Sequence, residues 1–224
     1  MDVKNWYSHL PANLKQDVKL DKNYKKHFIL PKSMIVVIGG TGSGKSNAII
    51  DMIHRMEKFY EIIIFNPVST DEPLYQMLKQ QMPEVQLIDN IEDLPELKSF
   101  DSDKDLEKLL IVDDFINLPK KDMKKIQEYF CGGRKSGFTV VAMVQNYVSC
   151  PKIITRNAQY FIVFKLNDNV TINNIIKNHN VNNVPKEDFK GMYLDATSKP
   201  LDFLLVDLKG GLATHLRRGF LNMY

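Results

Sequence analysis

At 224 residues, with 44% hydrophobic and 25% charged residues, the chain suits one α/β domain with a sizeable core, or one domain with an arm. A net charge of +3 permits a polyanionic partner without arguing for one, and no apolar run approaches the roughly 20 residues of a membrane span. Two cysteines, Cys131 and Cys150, are too few for a disulfide framework, and the five histidines show no metal-ligand spacing that would suggest zinc.

In chain order, residues 1–30 stand apart from the main domain, 31–224. Trp6, Tyr7, Leu10 and Leu14 give this arm some apolar content, and a charge-rich stretch follows to Lys26. It packs either on a neighbouring subunit or partner, or over its own core. The N-terminus has no signal-peptide core. The run Met34-Ile35-Val36-Val37-Ile38 reads as a buried strand, and the segment after Lys45 has helical spacing. Further strands are expected at 61–66, 85–88, 108–114, 139–144, 160–164 and 203–206. Helices are expected at 73–81, 120–130, 151–157 and 170–178, with the basic helix ending at Gly132-Gly133. Residues 89–107 are acidic and irregular and read as surface. Apolar strands alternating with helices imply a mostly parallel sheet covered on both faces.

Between the first strand and its helix lies Gly39-Gly40-Thr41-Gly42-Ser43-Gly44-Lys45-Ser46, the G-x-x-x-x-G-K-[ST] pattern of a phosphate-binding loop. Glycines let consecutive N–H groups face phosphate oxygens, and the helix N-terminus adds its free donors. In such a loop Lys45 reaches the β- and γ-phosphates of ATP, and the Ser46 hydroxyl ligates Mg²⁺.

A strand ending in Asp113-Asp114 supplies the second half of a nucleotide site. Asp113 is expected to hold Mg²⁺, the rival reading being a helix cap or turn residue, and Asp114 to orient or polarise the attacking water. Gln145 closes the next strand at the edge where open α/β sheets bind ligands, and its amide suits both γ-phosphate and water. Arg134, just before that strand, reads either as an arginine finger reaching a neighbour's phosphate, with Arg156 as the runner-up, or as a surface arginine that binds DNA phosphate or nothing. Lys120, Lys121, Lys124 and Lys125 form either a solvated face or a DNA-facing one. Outside the P-loop domain only about 30 residues remain, too few for a nuclease or second motor domain. A neighbour, if the site needs one, would then be another copy.

The P-loop, the Asp-Asp pair, Gly133-Arg134-Lys135-Ser136-Gly137 and the strand ending in Gln145 occur in the order that resembles the HerA/FtsK superfamily of DNA-pumping ATPases. The Asp-Asp pair, the small size and Thr155-Arg156-Asn157-Ala158-Gln159-Tyr160-Phe161 look most like the genome-packaging ATPases of poxviruses, other large DNA viruses and virophages. The resemblance spans roughly residues 28 to 208 and implies a RecA-like, additional-strand P-loop fold. It matches Arg134 to the trans arginine finger and Gln145 to the sensor. Asp114 departs from the Glu common at its position and is one methylene shorter. The implied protein hydrolyses ATP with Mg²⁺ as a homo-oligomeric ring, a pentamer or hexamer, and drives double-stranded DNA into a capsid, with capsid or portal proteins as partners. Its place would be the host cytoplasm, a viral factory or the virion. The alternatives are a helicase or segregation ATPase on the same fold, a nucleoside or nucleotide kinase, and a nucleotide-gated assembly factor that scarcely hydrolyses. No arginine-rich lid supports the kinase.

Overall fold

The β-branched runs fold as the strands their pattern predicts. β1 (Met34–Ile38), β2 (Glu61–Phe65), β3 (Val85–Ile88), β4 (Lys108–Asp113), β5 (Phe138–Val144) and β6 (Tyr160–Phe164) pair in parallel. β7 (Phe203–Asp207), β8 (Leu216–Arg218) and β9 (Asn222–Met223) extend the sheet antiparallel at one edge, giving the order β3-β2-β4-β5-β1-β6-β7-β8-β9. This computed structural model describes residues 4–11, 20–179, 181, 184–210 and 215–224; Leu14 and the start of the charge-rich part of the arm, residues 15–19, lie outside them.

The strand carrying the P-loop, β1, does not pair with β4. β5 lies between them, which is the additional-strand arrangement of P-loop proteins. Alternation along β1 divides the core in two. Ile35 and Val37 face α1 (Lys45–Met56) and α2 (Pro73–Gln81) through Ile49, Met52, Ile53 and Leu78. Met34, Val36 and Ile38 face the other layer, α3 (Lys120–Gly132), α4 (Lys152–Asn157), α5 (Val170–Asn178) and α6 (Lys186–Ala196), through residues such as Ile126, Ile154, Ile175 and Phe189. Both faces are covered, so every residue of β1, β4, β5 and β6 is buried.

Residues 20–30 lie over this body. Asn23 donates from Nδ2 to the Met56 carbonyl at 3.3 Å, and the Leu30 N–H donates to the Tyr160 hydroxyl at 3.0 Å. The buried Arg217 donates from Nη1 to the carbonyls of His27 and Phe28, at 3.1 and 3.3 Å.

Several expectations are corrected. α6 was not expected; its apolar residues Phe189, Tyr193 and Ala196 follow helical spacing behind Pro185, but Gly191 and the exposed Leu194 blur the pattern. Residues 89–107 are less of a surface than their charge suggests. Leu94 and Phe100 are buried, and Phe100 packs edge-on against Phe138 with centroids 4.9 Å apart. The basic helix ends at Gly132-Gly133 as expected, but the chain does not open there: Gly133, with φ −54°, leads straight into a 3₁₀ turn over Gly133–Ser136. That turn is closed by Gly137, where φ is 90° and a Cβ would stand 2.3 Å from the Leu106 carbonyl oxygen.

Candidate functional site

Parallel strands deliver their carboxyl ends to one edge of the sheet, and the predicted site residues converge there. The Gly39 N–H donates to the Val144 carbonyl at 3.1 Å, which sets the start of the P-loop beside Gln145. β4 and β5 are in register at Asp113 and Met143, so the acidic pair stands on the other side of Gln145. Gly39, Gly40, Thr41, Gly42, Ser43, Gly44, Lys45, Ser46, Asp113, Asp114 and Gln145 therefore share one edge.

The loop is built to receive phosphate. A Cβ on Gly39 would lie 2.4 Å from Ser43 Oγ and 2.9 Å from Phe164 Cβ, so the tight turn admits only glycine. Gly44, the N-cap of α1, has φ 101° and leaves the helix N-terminus open. Ser43 Oγ is buried inside the loop and has no partner among the described residues. Lys45 Nζ donates to the carbonyls of Gly39 and Gly40, at 2.9 and 3.1 Å, curling back over the cradle. Burial lowers the Lys45 pKa from its ordinary value, and the nearby charges of Asp113 and Asp114 oppose that shift. A half-buried cation, an open helix terminus and an orphaned hydroxyl fit a polyphosphate.

The two aspartates differ in environment. Asp113 is buried, and both of its oxygens are engaged. Oδ2 accepts from the Tyr75 hydroxyl at 2.9 Å, and Oδ1 accepts from the Asp114 N–H at 3.0 Å. Burial foremost raises the Asp113 pKa, with the Asp114 charge adding to it, while the Tyr75 hydrogen bond and Lys45 pull it down. Asp114 is exposed and takes a left-handed backbone, φ 47°, which aspartate tolerates better than most residues. The fixed buried carboxylate of Asp113 and the Ser46 hydroxyl, both hydrogen-bonding partners of the Tyr75 hydroxyl, offer the hard oxygen donors that Mg²⁺ takes. Among the described residues no group of three His, Cys, Asp or Glu could hold a metal, so such an ion would depend on nucleotide oxygens as well.

Tyr75 was not foreseen. It sits on α2 with Leu78 one turn on, and a buried Tyr at that spacing reads as core. Its contact with Asp113 crosses 38 residues of sequence and has no local signal.

Arg134 and Arg156 are not part of this cluster. Arg134 precedes β5, whose seven residues span roughly 23 Å, so it lies at the edge opposite its own P-loop. There Arg134, Lys135, Arg156 and Lys209 line a groove of about 430 Å³. All four are exposed and none forms an ion pair among the described residues. The turn bearing Arg134 is held from below, where the buried Lys108 donates from Nζ to the Ser136 carbonyl at 3.1 Å. On α3, Lys125 pairs with Glu96 at 3.4 Å and donates to the Ile91 carbonyl at 3.1 Å. Lys121 and Lys124 share a groove with Glu92, Asp122 and Glu128, so this face is charge-balanced rather than a basic stripe.

The fold has close parallels among solved structures. The genome packaging NTPase B204 of Sulfolobus turreted icosahedral virus 2, in complex with ATP-gammaS, superposes with a TM-score of 0.60 at 18% identity, over 86% of this chain and 99% of that one. Its AMP complex gives 0.59 at 17% identity, with the same coverage. ATPases 2 and 3 of EccC from Thermomonospora curvata give 0.52 at 13% identity, over 90% of this chain but only 38% of that one. At such identities the likeness shows the fold. A sequence search of curated proteins gave no match. The family described as poxvirus A32 protein matches residues 21–194, and with that span this P-loop chain belongs to it.

Proposed function

We propose that this protein is an ATP-hydrolysing motor that translocates double-stranded DNA and packages a viral genome into a capsid. The observation that carries this reading is the split of the site. One edge of the sheet gathers P-loop, paired carboxylates and Gln145, and the opposite edge gathers exposed guanidinium groups that cannot reach them within one copy. A ring of copies, five or six, brings the two edges together. Family membership and likeness to a protein described as a genome packaging NTPase support the same reading.

In this account the P-loop N–H groups and Lys45 bind the β- and γ-phosphates, releasing Lys45 from the Gly39 and Gly40 carbonyls. Ser46 and Asp113 would hold Mg²⁺, which when bound would supply neutralisation of the phosphate charge. Asp114, exposed and unanchored, orients the attacking water and accepts its proton as the bond to the β-phosphate oxygen breaks. The Gln145 amide fixes water and γ-phosphate together. Arg134 of the adjacent copy stabilises the charge that develops, and Arg156, lining the same groove, stands close enough to share that duty. The choice between these two arginines becomes a question of division of labour. The site of action is the host cytoplasm or viral factory, where capsids fill. Among the described residues no helix is long and apolar enough to cross a membrane.

The test is steady-state phosphate release with and without duplex DNA, alongside native mass measurement. A ring whose turnover rises with duplex DNA supports a motor. Turnover that depends on a phosphate-accepting small molecule would make the chain a kinase, and negligible turnover under all conditions would make it a nucleotide-gated factor.

A further inference from the structure

One residue beside the P-loop has a conformation and an exposure that packing does not explain. Leu201 has φ 68°, in the left-handed region that costs a branched side chain about 1 kcal/mol or more, and it is 55% exposed. Its Cδ2 lies 2.6 Å from where a Cβ on Gly44 would stand, so it rests directly on the P-loop glycine that opens α1. Phe164, at the end of β6, flanks the same glycine, its Cε1 at 3.6 Å from that position.

The turn that carries Leu201 is braced. The Asp202 N–H donates to the Lys199 carbonyl at 3.3 Å, closing the turn. Arg218 on β8 grips the Asp202 carboxylate from Nη2 and Nε, at 2.6 and 3.2 Å, and lies 3.8 Å from Asp195 at the end of α6. The Tyr224 hydroxyl donates to the same Asp195. The antiparallel edge strands thus hold an exposed leucine in an unfavourable backbone over the phosphate loop.

The sheet order says what would lie there. Asp113 on β4 and Gln145 after β5 fix the γ-phosphate end of a nucleotide on one side of β1. The α-phosphate, ribose and base must then leave on the other side, toward β6 and β7, because the order runs β4-β5-β1-β6-β7. On that side the P-loop is flanked by Phe164 and Leu201. We propose that Leu201, presented by the Lys199–Asp202 turn, is the apolar wall against which the nucleobase of the bound nucleotide rests. This deepens the nucleotide-binding reading of the P-loop and rests on it.

The experiment compares two ligands, ATP and inorganic tripolyphosphate, titrated calorimetrically into the full chain. Leu201→Gly removes the wall and relieves the backbone, so its melting temperature should equal or exceed that of the wild type. Its affinity for ATP should fall about tenfold, as expected for loss of one buried aliphatic contact, with tripolyphosphate affinity unchanged. Leu201→Asn, which tolerates the same φ, should behave alike and guards against a peculiarity of glycine. Lys45→Ala should weaken both ligands. Equal loss of both ligands in the Leu201 variants, or loss of neither, overturns the wall. Failure of the wild type to bind either ligand would instead overturn the nucleotide site itself.

Discussion

Removing one oxygen atom tests how the acidic pair is set. Tyr75→Phe deletes the hydroxyl that donates to Asp113 Oδ2 at 2.9 Å and leaves the buried ring in place. A hydrogen bond to a charged group contributes about 1.5–3 kcal/mol, and the carboxylate oxygen left behind is buried. Burial already raises the Asp113 pKa, and this hydrogen bond opposes that rise. Without it the carboxyl moves further up, so ionised Asp113 is less favoured and less fixed in direction. Loss of such a partner behind a metal ligand costs about 10-fold or more in metal affinity. Tyr75→Phe should therefore shift the Mg²⁺ dependence of ATP binding to about tenfold higher Mg²⁺, while affinity measured in chelator stays unchanged. The assay is a fluorescent-nucleotide titration across Mg²⁺ concentrations, with thermal melting as a fold control. An unaltered Mg²⁺ midpoint in a folded variant refutes the claim that Tyr75 orients Asp113.

Other substitutions divide the site differently. Asp113→Asn should abolish Mg²⁺-dependent nucleotide binding yet leave the empty protein no less stable at pH 7, because the pKa of the buried carboxyl is raised and its ionised form is strained there; a lowered melting temperature would contradict this. Asp114→Asn should bind ATP with Mg²⁺ normally and hydrolyse it about 10² or more times slower, and equal losses of affinity in the two variants would show the roles misassigned. His27 is buried with Nδ1 accepting from the Ile29 N–H at 3.0 Å, and desolvation foremost lowers its pKa to about 4. A depressed histidine stabilises the fold above its unfolded pKa, near 6.5, and that contribution fades as pH falls toward 4. Between pH 6.5 and 5 the wild type should lose about 1.5 kcal/mol through this one group, and His27→Gln should flatten that part of the denaturation profile. An unchanged slope would remove His27 as its source.

Legibility in the sequence follows the range of the interactions. The P-loop is local, since glycines, strand and helix lie within a dozen residues, and its geometry is dictated by backbone sterics alone. Asp113, Asp114 and Gln145 are legible because the carboxyl ends of parallel strands must share an edge. Tyr75 is not, because its role comes from a contact between α2 and β4 that the spacing of α2 disguises as core. Leu201 is hidden for the same reason: a left-handed leucine has no sequence signature, and the Arg218–Asp202 pair that holds it joins separate segments. The end of α3 is legible because two glycines follow the basic run, but the 3₁₀ turn after it is not, because Gly137 closes it against the Leu106 and Lys104 carbonyls of another segment. Arg134 lies at the edge opposite its own P-loop because a parallel strand follows it.

The central claim is that catalysis needs two copies, and mixing two inactive variants tests it most directly. Arg134→Ala should bind ATP normally and hydrolyse it slowly, since a finger of this kind is worth about 10³ to 10⁵ in rate. Lys45→Ala keeps its Arg134 but has a dead P-loop. Titrated against each other with duplex DNA present, with mixed assemblies verified by native mass, the pair should regain phosphate release that peaks at intermediate ratios, from interfaces where an intact P-loop meets an intact Arg134. Verified mixed assemblies with no recovery at any ratio would contradict a site shared between subunits.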